Sequence, residues 1–471
     1  MVLRPYAANA PTPMPWLHSI PDHWEVRRAK QVFRCIDVRS KTGGEELLTV
    51  SSADGVRKRS SKAVTMFMAE SYAGYKLCWE GDLVVNSLWA WATGLGFSRY
   101  HGIISTAYSV YRPKQAYSNN WEFFHYLFRS RSYDWEFTVR SKGIWISRLQ
   151  MADDSFMQMP VLVPPPEEQE QIVHFIRYID QRVNRLIKNK RRLIELLNEQ
   201  KQAIIHHAVT RGLDPTVPLK PSGIDWLGDT PHHWQARQLR HVTRVLVSNV
   251  DKLSDEGEEP VRLCNYVDVY KNEAISEGTP FMCASASREE IERFRIRIGD
   301  VIITKDSEVW YDIGVPAVVR HQAEDLVCGY HLAILRPTDG VLMGEFLLRC
   351  LQDRLVATQF HVAANGITRY GLSQRAVKSC LVPIPPIYEQ IDVVDYLQVA
   401  TRKSCLAITK ARSEIDLIRE YRTRLVADVV TGQLDVRHLD LPEVDESLLE
   451  AVEVGGDDDL EVEREEATMY E

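Results

Sequence analysis

Trp16-Leu17-His18-Ser19-Ile20-Pro21-Asp22-His23-Trp24-Glu25-Val26-Arg27 returns as Trp226-Leu227-Gly228-Asp229-Thr230-Pro231-His232-His233-Trp234-Gln235-Ala236-Arg237, with six of the twelve positions identical. Both tryptophans recur at the same spacing, and tryptophan is too rare for coincidence to explain that. Beyond this stretch, further landmarks follow in the same order in both halves. Gly81-Asp82-Leu83-Val84-Val85 matches Gly299-Asp300-Val301-Ile302-Ile303, each a turn feeding a buried strand. Tyr108-Ser109-Val110-Tyr111-Arg112-Pro113 matches Leu332-Ala333-Ile334-Leu335-Arg336-Pro337, a strand closed by proline. Val163-Pro164-Pro165-Pro166-Glu167-Glu168-Gln169 matches Ile384-Pro385-Pro386-Ile387-Tyr388-Glu389-Gln390. The chain is a tandem duplication with a period of about 210–224 residues.

Each repeat has two parts. A mixed segment with short apolar runs, Gly/Pro/Asn punctuation and helical stretches such as Trp121–Ser130 implies an α+β domain. Proline then closes the domain and Glu-Gln opens a long helix, because proline suits a helix's first turn and acidic side chains suit its positive end. The expected organisation is a disordered arm over 1–15, a first domain over 16–163, a first long helix over 164–215, a second domain over 216–384, a second long helix over 385–435 and an acidic disordered tail over 436–471.

The first helix carries Ile172, Ile176, Ile179, Val183, Leu186, Leu193, Leu197 and Ile204 at coiled-coil spacing, with Lys190 and Gln200 as polar intrusions. The second carries Leu397, Ala400, Ser404, Ile408, Ala411, Ile415, Ile418, Leu425 and Val429, with small residues in its middle. Large residues facing small ones allow close approach, so the two are expected to pair as an antiparallel coiled coil. Each would be on the order of 60 Å long, enough to hold two domains apart.

The chain has 471 residues, 45% hydrophobic, with a formal net charge of −8. No run approaches the ~18 apolar residues of a membrane span, and Met1–Pro15 lacks the apolar region of a secretory signal. Eight scattered cysteines without a C-x-x-C pair point to free thiols in a reducing compartment and to no zinc site. The net charge is a sum of unlike parts. Residues 440–471 hold 14 acids and one base, which leaves the other 439 residues at +5. Within these, residues 16–160 are at +5 and 226–380 at −3.

Catalytic motifs are missing. There is no phosphate loop, no H-E-x-x-H, no G-x-S-x-G and no Asn/Asp-Pro-Pro-aromatic motif, and Gly94-Leu95-Gly96 has Arg99 where a third glycine would stand. Glu199-Gln200-Lys201 resembles a nuclease fragment but falls inside the long helix, where such charges form a solvated face. His206-His207 and His232-His233 are adjacent pairs whose members point to different sides, so neither makes a shared metal site. No catalytic residue and no metal are assigned.

Binding residues are easier to find. Arg57-Lys58-Arg59 and Lys62 follow the turn signal Asp54-Gly55, which makes either a basic loop tip for phosphates or a solvated loop. Trp89, Trp91, Arg99 and Tyr100 follow the first buried strand, where binding loops tend to sit. In the second domain Arg293, Arg295 and Arg297 alternate with Phe294, Ile296 and Ile298, as in a half-buried strand with arginines outward. Lys305, Asp306 and Trp310 follow the second buried strand; Lys305 and Asp306 can specify bases or form a surface ion pair. Arg369 is a further DNA-binding candidate. The tips diverge while the flanking strands match, which suits two domains reading different sequences.

On these residues the chain resembles the specificity subunits of Type I restriction–modification systems. The resemblance covers about residues 14–435 and rests on Trp226-Leu227-Gly228 leading to Pro231-x-His233-Trp234, its echo at 16–24, the Pro-Pro-x-x-Glu-Gln signals and the twofold plan. It implies that each domain is a target-recognition domain for half of a split double-stranded DNA site. It also implies that the helices dock two modification (methyltransferase) subunits, and that restriction subunits join to cleave. S-adenosylmethionine and ATP/Mg would then belong to those partners, with no cofactor in this chain, and the location would be a prokaryotic cytoplasm. The acidic tail goes beyond the family pattern. A coiled-coil adaptor tethering two protein-binding domains is the alternative; steep salt dependence of DNA affinity separates the two.

Overall fold

Proline at the head of each expected helix sets the first turn, and the helices begin there. In the computed structural model, which describes residues 3–53, 55–61, 71–144, 149–255 and 257–444, one long helix spans Pro166–Arg211 and a second spans Ile387–Val430. The chain divides into two compact units, Met1–Lys190 with Arg412–Glu471, and Arg191–Ala411. Each is mixed helix and sheet, so the α+β class holds. Among the described residues no helix is long and apolar enough to cross a membrane.

In both units the motifs that mark the repeat touch each other. In the first, Glu168 on the opening turn of the long helix accepts from Trp24 Nε1 at 3.1 Å and from the Tyr6 hydroxyl at 2.5 Å, with His23 Nε2 at 2.7 Å. In the second, Glu389 accepts from Trp234 Nε1 at 2.8 Å, with His233 Nε2 at 2.6 Å. The next residue bonds backwards: Gln169 Nε2 donates to the Pro164 carbonyl and Gln390 Nε2 to that of Pro385. The same indoles also meet a helix end. Gly212 and Gly432 take φ of 72° and 74°, the left-handed geometry of a helix C-cap. A Cβ on Gly212 would lie 3.2 Å from the Trp234 ring, and one on Gly432 2.4 Å from Pro21 Cδ and 3.2 Å from the Trp24 ring.

The domain sheets repeat as well. The first unit holds an antiparallel sheet in the order Phe33–Ile36, Tyr108–Pro113, Leu83–Asn86, Leu95–Phe97. The second holds Thr243–Val247, Leu332–Pro337, Val301–Thr304, Pro316–Val319 in the same order, extended by Ala274–Ile275. The central registers correspond, Tyr108 facing Asn86 and Leu332 facing Thr304. The second unit adds a three-stranded sheet of Met282–Ala286, Glu259–Cys264 and Leu326–Cys328.

The two long helices contact one another inside each unit. In the first, Arg422 makes a bidentate pair with Asp180 at 2.8 and 2.9 Å, and Lys190 meets Glu414 at 2.6 Å, so the segments run in opposite directions. Ile172 and Ile176 share a core with Leu425 and Val429, and Ile179 packs against it. In the second unit Ile204 and Ile205 pack with Val393 and Leu397, and Ser404 Oγ lies 3.5 Å from Gln200. Ile408, Ala411 and Ile415 are buried, while Val183, Leu197 and Ile418 are half-buried.

Several expectations need correction. Leu186 and Leu193 are exposed, and Ile187 and Ile194 turn inward instead. The half-buried face runs 183, 187, 190, 194, 197, 201, so Lys190 is a member of it, neutralised by Glu414, rather than an intrusion. On the second helix Thr401, not Ala400, is the fully buried residue, its hydroxyl donating to the Leu397 carbonyl at 2.7 Å. The expected disordered arm is ordered from residue 3: Asn9–Pro11 pairs with Ser19–Pro21, and Tyr6 and Met14 are buried. The expected tail is ordered at its start, where Val436 is fully buried and the Asp435 N–H donates to the Arg4 carbonyl at 2.8 Å. Residues 445–471 lie outside the described residues. Arg293, Arg295 and Arg297 do not form a strand: Ser287 and Glu290 make a reciprocal capping box that opens the helix Arg288–Phe294.

The Trp–Glu contact is expected to be the stability determinant of each unit. Trp24→Ala or Trp234→Ala should destabilise its unit by about 3–5 kcal/mol. Replacement by Phe keeps an aromatic ring but removes one donor from Glu168, which is buried, or from Glu389, which is half-buried, and should cost about 1–3 kcal/mol, more at Trp24 than at Trp234. Urea unfolding of the four variants checks both the values and their order.

Candidate nucleic-acid interface

A strand can present a loop accurately only if its own position is fixed. The Gly81-Asp82 and Gly299-Asp300 turns take φ of +79° and +88° at glycine and then bury the aspartate. Asp82 accepts a bidentate pair from Arg112 at 2.7 and 2.8 Å, and Asp300 one from Arg336 at 2.8 and 2.7 Å. Thus the turn landmark and the Arg-Pro landmark of each repeat are partners. Such a forked, shielded pair pins the central strand, and the loop beyond the strand's far end is free to vary.

In the first unit the basic segment is a strand, not a loop tip. Gly55–Lys58 pairs with Leu48–Ser51, and Arg59 opens a short 3-10 turn. The hairpin seats on the sheet by glycine contact, since a Cβ on Gly96 would lie 2.8 Å from Gly55 Cα. Arg129 then ties down its tip, donating to the Leu95, Ser52 and Ala53 carbonyls at 2.6, 2.8 and 2.6 Å. The Lys58 ammonium lies 5.3 Å over the Tyr100 ring, so the structure brings Arg57, Lys58 and Arg59 beside Arg99 and Tyr100. Arg99 is exposed and 4.0 Å from Glu122. Lys62 lies outside the described residues. Below the hairpin, burial holds His125 well under the ordinary imidazole value, and its Nδ1 accepts from the Phe97 N–H at 3.2 Å.

Trp89 and Trp91 form a separate feature at the end of Leu83–Asn86. Their rings stack at 5.9 Å and 19°, and Trp89 is 53% exposed. The turn is tightened by Thr93, whose φ of 61° is positive, unlike that of any other non-glycine among the described residues. Thr93 donates to Asp134 at 3.1 Å, which holds this costly conformation.

In the second unit Lys305 and Asp306 are an ion pair at 2.7 Å, both about one-fifth exposed. His331, which no sequence motif singles out, completes the cluster. Its Nδ1 is 2.8 Å from Asp306 and its Nε2 is 3.3 Å from Arg369. Arg369 is exposed, and Asp306–Ser307 pairs with Tyr370–Gly371, so the two segments form one surface. Trp310 is 50% exposed beside Tyr311, on the same post-strand loop. Of the two histidine pairs, His206 meets Asp353 and His233 meets Glu389. Among the described residues no group of three or more His, Cys, Asp or Glu is placed to hold a metal ion.

Acid is expected to loosen the second cluster. Burial holds His331 below 6.5, and hydrogen bonds from Lys305 and His331 overcome burial to hold Asp306 below 3.8. Both groups bind protons more readily when unfolded, so their contribution is complete above the ordinary imidazole value and is lost as pH falls. His331→Asn should flatten the decline of unit stability as pH falls below the ordinary imidazole value, read from thermal unfolding at stepped pH. In the first unit, Arg129→Ala should leave the fold intact but raise hydrogen exchange at residues 52–58.

No family model matches the sequence. A curated relative, the putative type I restriction enzyme MjaX specificity subunit of Methanocaldococcus jannaschii, is 22% identical over 174 residues, which is 36% of this chain and 40% of that protein. The aligned part is therefore well under two thirds of the relative's length. Among solved structures, a chain from work on complex assembly and conformational transition of the type I R-M system matches with a TM-score of 0.59 at 16% identity, over 88% of this chain and 99% of that one. The HsdS subunit of Thermoanaerobacter tengcongensis matches with a TM-score of 0.40 at 16% identity, over 88% and 98%. In sequence the chain thus resembles a type I restriction enzyme specificity subunit over 36% of its length, and in fold it resembles a chain of the type I R-M system.

Proposed function

We propose that the chain is a non-catalytic DNA-specificity subunit of a type I restriction–modification complex. Each unit reads one half of a bipartite duplex target, and the long helices pair as an antiparallel coiled coil that spaces the two domains. The observation that carries this is the coincidence of a repeated, pinned strand with divergent tips: stacked indoles after Asn86, and a Lys305–Asp306–His331–Arg369 cluster after Thr304. One scaffold with two side-chain sets is what recognition of two unlike half-sites requires. Exposed apolar side chains on the helices, Leu186, Leu193 and Leu196 on one and Leu406, Leu417 and Tyr421 on the other, support docking of two modification subunits there. Those partners would hold S-adenosylmethionine, and the restriction subunits ATP and Mg.

Sequencing of methylated bases in a host that carries this chain and its modification subunit tests the proposal. The expected result is methylation at a bipartite motif with unequal arms; a purified complex that binds all sequences equally would refute it. Within that complex, neutralising Arg57, Lys58 and Arg59 together should weaken binding across sequences and flatten the salt slope by about one unit per lost phosphate contact. A changed methylation motif would instead mean that these residues read bases.

A further inference from the structure

In the second unit an exposed arginine is positioned by a side chain that does not neutralise it. Arg369 Nη2 lies 3.3 Å from His331 Nε2, and His331 Nδ1 lies 2.8 Å from Asp306 Oδ2. A carboxylate only accepts and a guanidinium only donates, so the ring between them carries its proton on Nδ1 and presents a bare Nε2 to the arginine. Burial disfavours the charged ring and holds His331 below the ordinary imidazole value, in keeping with that neutral tautomer. Lys305 binds the same Asp306 oxygen at 2.7 Å, so the lysine and the aspartate offset each other. Among the described residues no carboxylate pairs with the Arg369 guanidinium and no second hydrogen bond holds it.

The backbone beneath Arg369 is fixed as well. Tyr370–Gly371 pairs with Asp306–Ser307, and the Asn365 and Gly371 backbones exchange hydrogen bonds at 3.1 and 2.9 Å. Glycine is required where this turn closes, since a Cβ on Gly366 would lie 1.9 Å from the Arg369 carbonyl oxygen. The relay cannot be built at the matching place in the first unit. The registers that equate Leu332 with Tyr108 and Thr304 with Asn86 put Ala107 where His331 stands and Leu88 where Asp306 stands.

A phosphate contact needs only a charge within reach, whereas a base edge needs donors held in a fixed plane. Tied through Nη2, the guanidinium keeps its remaining N–H donors in one planar fork. In the major groove guanine offers two neighbouring acceptors, O6 and N7; adenine sets a donor beside its acceptor, and cytosine offers a donor. We propose that Arg369 reads one guanine in the half-site of the second unit through O6 and N7, with His331 as the residue that positions it. The proposal rests on the DNA-specificity reading above.

The test uses the full chain in complex with its modification subunit. The probes are a duplex bearing the motif found by methylated-base sequencing, a scrambled duplex, and motif duplexes in which each guanine in turn is replaced by 7-deazaguanine, which lacks the N7 acceptor. Arg369→Gln should weaken binding to the motif duplex about tenfold. It should also become indifferent to deazaguanine at one position, in one arm, to which the wild type is sensitive. Arg369→Lys keeps the charge but not the fork, so it should keep the salt slope and still lose discrimination severalfold. His331→Phe should leave affinity for the scrambled duplex unchanged and blunt the response to deazaguanine at that same position, which general destabilisation would not single out. A motif without guanine in either arm overturns the proposal and leaves the specificity reading standing. So does an Arg369→Gln complex with unchanged motif affinity, or one that loses affinity equally for motif and scrambled duplexes with a flatter salt slope, the mark of a phosphate contact. An unaltered deazaguanine response in His331→Phe overturns the positioning role. A wild-type complex that does not distinguish motif from scrambled duplex overturns the specificity reading itself.

Discussion

One carboxylate per repeat holds the architecture together. Glu168 and Glu389 sit on the first turn of a long helix, where the helix dipole favours a negative charge, and each takes the indole N–H and the imidazole of the His-Trp pair that opens its domain. Glu168 is only 5% exposed, so each donor it takes offsets the cost of burying its charge. The indole face receives the glycine that ends the other long helix. A single Trp-Glu contact therefore fixes three chain segments that are far apart in sequence. In the first unit two further segments join it, since Tyr6 bonds to Glu168 and the Arg437 guanidinium lies 4.9 Å over the Tyr6 ring.

The second repeated contact, Asp82 with Arg112 and Asp300 with Arg336, explains why the tips can diverge. It secures the central strand from the end opposite the variable loop. Substitutions beyond Asn86 or Thr304 then change what is displayed without moving the strand that displays it. The strain at Thr93 and the ion pair of Lys305 with Asp306 are two different local solutions on one frame.

Much of this was legible in the sequence because its landmarks are contact partners. Tryptophan, proline, glycine and paired charges are the residues a repeat can least exchange, and all four matched segments prove to be halves of two contacts. The long helices and the central strands followed from the same signals. The features that were missed had weaker signals. Lys190 concealed the half-buried face of the first helix, because a lysine that finds Glu414 behaves as an interior residue. The alternation at 293–298 imitated a strand, while the Ser287-x-x-Glu290 box just before it specified a helix. His331 stood in no motif; the strand register brings it to Asp306.

Domain charge was the least transferable of the sequence signals. The second domain is at −3 over residues 226–380, which weighs against phosphate binding if charge is taken in bulk. Yet many of its acids are committed internally: Asp300 to Arg336, Asp325 to Arg262, Glu345 to Arg320 and Glu273 to Lys201 and Arg349. Beyond a Debye length of about 8–10 Å such pairs largely cancel, and a ligand meets the local arrangement at the strand end.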